Sequence, residues 1–123
     1  MKSMKTELFG TFSMVARCER TGELGVCVST AVPAVGSIVP HAELDVAAIA
    51  TQATSNVMYG VKGLQLIELG LSPSSALDAL LREDEKREVR QVIMIDKDGR
   101  TVAFTGRETV EWKGHLTGRN YAT

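Results

Sequence analysis

A threonine that begins a chain carries both a nucleophile and a base, because its hydroxyl attacks while its own α-amine takes the proton. Here Thr11 follows Gly10 and opens the run Thr11-Phe12-Ser13-Met14-Val15-Ala16-Arg17. A free α-amine has a pKa of about 7.7–8.0, so roughly a tenth is neutral at pH 7 and able to accept that proton. The chemistry requires the Gly10–Thr11 bond to be cut. Glycine suits the position before the nucleophile, since it tolerates strained φ/ψ and leaves its carbonyl open to attack. Gly-Thr also begins ordinary strands after a tail, so the pair alone leaves both readings open.

A second group of polar residues, Thr51, Gln52, Thr54, Ser55 and Asn56, separates an apolar run from a helical pattern. The amides of Gln52 and Asn56 suit donors aimed at a developing oxyanion. Ser55 or Asn56 equally suits a helix cap. His41, just after Pro40, reads either as part of an active-site or subunit-contact loop or as a surface histidine, and nothing near it in sequence orients it as a base. Trp112, His115, Thr117 and Tyr121 either line a pocket wall or cover one end of the core. The catalytic candidates are Thr11, Gln52 and Asn56, and the substrate-binding candidates are Ser13, His41, Tyr59, Trp112 and His115. Ser13 lies on the face of Thr11, about 6.6 Å along the strand, whereas Arg17 is about 20 Å away and is cast as a structural ion-pair partner.

These groups need strands and a helix to hold them. Thr11–Cys18 and Leu24–Ala31 are predicted strands joined by a turn at Thr21-Gly22-Glu23. Alternation puts Thr11, Ser13, Val15 and Arg17 on one face of the first, and Phe12, Met14, Ala16 and Cys18 on the other. Both strands are apolar enough on both faces to be covered on both sides. With Thr21-Gly22 central, Cys18 faces Gly25 and Cys27 faces Ala16, which sets the thiols diagonally and favours free cysteines over a disulfide. Val32–Asp45, punctuated by Pro33, Gly36 and Pro40, reads as a loop.

Val46–Gln52 is a strand of small residues, which suggests close approach by another layer. A helix follows over Val57–Leu69, with Gly60 and Gly63 spaced to let its backbone pack close to a sheet. Ser72-Pro73 caps and opens a second helix whose stripe is Ala76, Leu77, Leu80 and Leu81. The mixed charges of Arg82–Arg90 read as a solvated helix end and loop. Gln91–Asp96, the Lys97-Asp98-Gly99 turn and Thr101–Thr105 form a second hairpin. Asp96 and Asp98 flank that turn without the spacing of a cation loop. Trp112–Tyr121 reads as irregular.

The chain has 123 residues, 44% hydrophobic and 24% charged, with a net charge of −1. That bounds it to one soluble domain. It offers no electrostatic case for nucleic acid, and no apolar run approaches the roughly 18–20 residues of a membrane span. Residues 1–10 lack the apolar centre of a signal peptide, so a cytoplasmic location is expected. Cys18 and Cys27 are the only cysteines, without a second pair at ligand spacing, and neither a metal nor a cofactor is expected.

Thr11–Arg17 followed by Thr21-Gly22-Glu23-Leu24-Gly25-Val26 resembles the opening of a bacterial and archaeal family of unknown function placed among the Ntn (N-terminal nucleophile) hydrolases. The resemblance continues through Ala34–Pro40, Ala50-Thr51-Gln52, Tyr59–Leu64 and Trp112-Lys113-Gly114-His115-Leu116-Thr117-Gly118, in order and spacing, to the chain end. It implies an α+β fold, the Ntn-hydrolase-like α/β/β/α sandwich with mainly antiparallel sheets, over residues 11–123. Residues 1–10 are then an N-terminal extension or propeptide, whereas family members often begin Met-Thr-Phe-Ser. The family's chains run past the Gly-His-x-Thr-Gly motif, so this chain corresponds to the N-terminal part and the sandwich is incomplete at its C-terminus.

The implied activity is hydrolysis of an amide-type C–N bond in a small-molecule or peptide-like substrate, with Thr11 as nucleophile. The alternative is a non-catalytic scaffold serving binding or assembly. Helices on one side only leave a sheet face to be covered, so a homo-oligomer is expected.

Overall fold

The computed structural model describes residues 10–123, so the extension or propeptide assigned to residues 1–10 lies, apart from Gly10, outside the described residues. The first hairpin is β1 (Thr11–Arg17) with β2 (Leu24–Thr30). Its register pairs Thr11 with Thr30, Met14 with Cys27 and Arg17 with Leu24. Cys27 therefore does not face Ala16 as expected from a Thr21-Gly22 turn. The connection is Glu19–Gly22: the Cys18 amide donates to the Glu23 carbonyl at 2.8 Å, and the Gly22 amide to the Cys18 carbonyl at 2.8 Å. Gly22 supplies the left-handed step, at φ 77°. A two-residue shift leaves every side chain on its original face. Cys18 and Cys27 are free thiols.

β3 (Pro40–Glu43), β4 (Ala47–Ala53), β5 (Arg90–Asp96) and β6 (Thr101–Thr105) form a second antiparallel sheet in the order β3-β4-β5-β6. β3 corrects the loop expected over Val32–Asp45. It is a short edge strand whose first residue is Pro40, a position where proline's missing N–H does no harm. β7 (Thr117–Gly118) and β8 (Tyr121–Ala122) likewise correct the irregular reading of Trp112–Tyr121. β8 pairs with β1, Val15 opposite Ala122, so the first sheet runs β2-β1-β8-β7. Arg17 forms no ion pair among the described residues. Its guanidinium donates to the Lys97 carbonyl, because the β5–β6 turn, and not a carboxylate, lies beside it.

The helices α1 (Met58–Glu68) and α2 (Pro73–Glu83) both pack on the second sheet. Tyr59, Ile67, Ala76 and Leu77 meet Ala47, Ile49, Val92 and Met94 there. The alternate residues of β4 and β5, Ala48, Ala50, Ile93 and Ile95, meet Val15, Val39 and Ala122 between the sheets. The glycines of α1 let its backbone pack close to the sheet, as expected. A Cβ on Gly60 would stand 2.1 Å from the His41 ring, and one on Gly63 2.7 Å from Ile49 Cδ1. Ser72 caps α2 as expected, accepting from the Ser75 amide at 3.2 Å, with Pro73 at the first helical position.

The protein is therefore α+β: two four-stranded antiparallel sheets and two helices. The expectation that β1 and β2 are covered on both faces is corrected. Along β2 the inner Leu24, Val26 and Val28 are half-buried and the outer Gly25, Cys27 and Ser29 exposed, and Phe12 beside them is 53% exposed. With both helices on the second sheet, no described residue covers that outer face. Among the described residues no helix is long and apolar enough to cross a membrane.

Candidate active site

Thr11 begins β1 on the face turned toward the second sheet, with Ser13 and Val15 next along the same face. The start of β1 opens onto a cleft of about 500 Å³. Gly10, Thr11 and Ser13 form one side of it. Ala50, Gln91 and Ile93 of the second sheet, with Thr54 just past β4, form the other, and the segment Glu108–Gly114 forms the third. The Thr11 hydroxyl lies 2.9 Å from the Thr30 hydroxyl, its cross-strand partner.

Gln52 is 4% exposed and its side-chain Nε2 has no hydrogen-bond partner. It follows Ala50 on the inner face of β4 and stands opposite Gln91 in register. Its two neighbours line the cleft, although Gln52 itself stands behind the wall. A buried amide donor without an acceptor costs free energy of about 1–3 kcal/mol, so it marks a place where a ligand oxygen is tolerated well.

Gln91 and Lys113, which sequence reasoning missed, brace the third wall. The Gln91 amide donates to the Thr105 hydroxyl at 3.1 Å and to the Gly114 carbonyl at 2.8 Å. The Thr105 hydroxyl in turn lies 2.8 Å from His115 Nδ1. The Lys113 ammonium donates to the carbonyls of Thr109, at 2.9 Å, and Arg107. Glu88 accepts from the Arg107 amide at 3.0 Å and from its guanidinium at 3.2 Å, contacts that hold its carboxyl below the usual range. The one available signal was Gln91 itself, a polar head on the apolar strand Val92–Ile95.

Thr11, Ser13 and Trp112 meet at the cleft, where Trp112 is fully exposed with φ 56°. His115 does not line it and is tied back onto Thr105. The other candidates stand on the helix side of the second sheet. Asn56 Oδ1 accepts from the Met58 amide at 3.0 Å, the capping alternative, and the Ser55 hydroxyl donates to the Thr51 carbonyl at 3.0 Å. His41 pairs in register with Ile49, holds the Ile38 carbonyl at 3.0 Å through Nε2, and seats its ring under Gly60.

Tyr59 is 2% exposed and donates to Asp84 at 3.0 Å. Burial pushes its phenol well above the ordinary range, and the bond to Asp84 adds to that. The Asp84 carboxyl is held low, chiefly by the Arg90 guanidinium 2.8 Å away. Asn56 and Tyr59 therefore border a separate hollow of about 180 Å³ and do not reach Thr11. Among the described residues no three His, Cys, Asp or Glu side chains gather to hold a metal ion.

No curated protein matches this chain. Among solved structures, protein SPO2555 from Silicibacter pomeroyi, of the DUF1028 family, superposes with a TM-score of 0.87 at 31% identity. The alignment covers 91% of this chain and 50% of that one, so this chain spans about half the length of that relative. The family model described as a family of unknown function, DUF1028, matches residues 11–123, and the chain belongs to that family.

Proposed function

We propose that this protein is an N-terminal-nucleophile hydrolase that cleaves an amide-type C–N bond in a small-molecule or peptide-like substrate. One observation carries the reading: the Thr11 hydroxyl opens a strand at the edge of an inter-sheet cleft that has a buried, unpartnered amide, Gln52 Nε2, behind its opposite wall. The cleft volume, about 500 Å³, suits a small ligand. The two packed antiparallel sheets with helices on one side agree with three layers of an α/β/β/α sandwich.

The first step frees the amine. Thr11 Oγ1 attacks the Gly10 carbonyl carbon, the Gly10–Thr11 C–N bond breaks, and an ester joins Gly10 to the threonine oxygen. Water hydrolyses that ester, releasing residues 1–10 and leaving Thr11 with an α-amine. In turnover Thr11 Oγ1 attacks the substrate carbonyl as its proton passes to the α-amine. The Gln52 amide, buried behind the wall until substrate enters, rotates toward the cleft and donates to the oxyanion at about 3 Å. The proton passes on to the leaving nitrogen as the C–N bond breaks, and water resolves the acyl-ester.

Intact mass of the purified full chain tests this. Wild type is expected to lose residues 1–10 and to gain the mass of one acyl group at Thr11 from a β-lactone probe, while Thr11→Ala stays full length and unlabelled. A wild-type chain that is neither cut nor labelled, or a Thr11→Ala chain cut like wild type, overturns the proposal and leaves a scaffold.

A further inference from the structure

We infer that Thr30 is a positioning residue for the Thr11 nucleophile, donating a hydrogen bond to Thr11 Oγ1 as that oxygen attacks. The inference rests on the hydrolase reading above. The inner row of β2 reads Leu24, Val26, Val28 and then Thr30, so the only hydroxyl in an aliphatic row stands directly opposite Thr11. The two oxygens are 2.9 Å apart, and either can donate. No other described side chain hydrogen-bonds to the Thr11 hydroxyl.

Once the α-amine is free, the direction of that bond matters. The Thr11 proton leaves for the amine, one lone pair of Oγ1 attacks the carbonyl, and another remains to accept from Thr30. A hydrogen bond to the form that bears charge favours that form, so Thr30 eases loss of the proton. The hairpin register fixes the geometry before substrate arrives, which spares the cost of orienting the donor during reaction. A threonine pair that only braced the sheet would have none of these effects on reactivity.

The experiment compares wild type, Thr30→Val and Thr30→Ser as full chains, reading acylation of Thr11 by a β-lactone against pH from intact mass. Valine keeps the β-branched shape and strand preference, so Thr30→Val is expected to melt no lower than wild type. Its labelling rate per processed chain is expected to fall about tenfold, the worth of one net hydrogen bond. The pH midpoint, set by the α-amine, stays where it is. Thr30→Ser restores most of the rate. A Thr30→Val chain that stays uncut while Thr30→Ser is cut is the same effect at the earlier attack on Gly10. Wild-type labelling with an equal rate in Thr30→Val, or a Thr30→Ser as slow as Thr30→Val, overturns the role of Thr30 and leaves the hydrolase reading standing. Wild type that is neither cut nor labelled overturns both.

Discussion

Two polar clusters sit at one end of the second sheet, on its opposite faces. On the helix side, Arg90 binds Asp84 at 2.8 Å and the Thr54 carbonyl at 2.6 Å, and Asp84 also accepts from Tyr59 and from the Lys86 amide. On the inner side, one register step away along β4 and β5, Gln52 keeps a buried amide with no acceptor, and Thr11 shows its hydroxyl to an open cleft. The first cluster spends its polar groups on one another. The second leaves one buried donor, Gln52 Nε2, without an acceptor beside a cleft that Thr11 lines. Gln52 is as deeply buried as Tyr59 and Arg90, at 4% exposure against 2% and 8%, so what separates it from them is the missing acceptor.

The largest effect falls on the closed cluster. Arg90→Ala leaves the Asp84 carboxylate and the Thr54 carbonyl without their partner in a mostly buried place, with the two side chains of the ion pair 10% and 14% exposed. Breaking a buried pair from one side costs about 3–5 kcal/mol. Urea unfolding at pH 7 is expected to show that loss. A cost of a few tenths of a kcal/mol would mean that water satisfies the cluster, and the contrast with the cleft would vanish.

Gln52→Met runs the opposite way. Nε2 has no bond to lose, and a side chain of similar length without an amide relieves its burial, so stability is expected to hold or rise. Reactivity is expected to suffer, since removing one oxyanion donor slows acyl transfer by about a hundredfold or more. Labelling of Thr11 and urea unfolding on the same preparation read both. A variant that unfolds as readily as Arg90→Ala, or that labels at the wild-type rate, would place Gln52 with the brace and not with the site.

Much of this contrast was open to the sequence, and the failures have physical causes. β1, β2, β4, the β5–β6 hairpin and both helices announce themselves through local periodicity, caps and turn residues. β3 and β8 exist because a distant strand pairs with them, β3 with Ala47–Ala50 and β8 with Val15–Ala16. Neither is long enough to show a period, and Pro40 in one and the aromatic, glycine-rich setting of the other argue for loop. The same division holds at the site. Thr11, Ser13 and Trp112 come to the cleft, and Gln52 stands behind its wall. His41, Asn56 and Tyr59 are polar residues of the right kind, yet each is committed to a partner on the helix side, Ile38, Met58 and Asp84. Residue type reveals what a side chain can do, but only the fold reveals whether it is already engaged.

The smallest of the expected effects is the most direct probe of the closed cluster's charge. The Arg90 guanidinium, and after it the Lys86 amide and the Tyr59 hydroxyl, hold the Asp84 carboxyl below its ordinary 3.8. A carboxylate with a depressed folded pKa adds stability that is fully present above its unfolded value and disappears as pH falls through its folded value. Wild type should therefore lose this contribution only below about pH 4, the unfolded carboxylate value. Asp84→Asn keeps one oxygen, placed to accept from the Lys86 amide, and puts an NH2 in place of the oxygen that accepts from Tyr59 and Arg90, so the charge facing Arg90 is lost. It should be less stable than wild type at pH 7 by less than Arg90→Ala, and the gap should close as pH drops below 4. Urea midpoints of both proteins from pH 7 to pH 2.5 measure this. Parallel midpoints across that range would mean that the Asp84 charge contributes nothing, and that shape and hydrogen bonds alone hold the brace together.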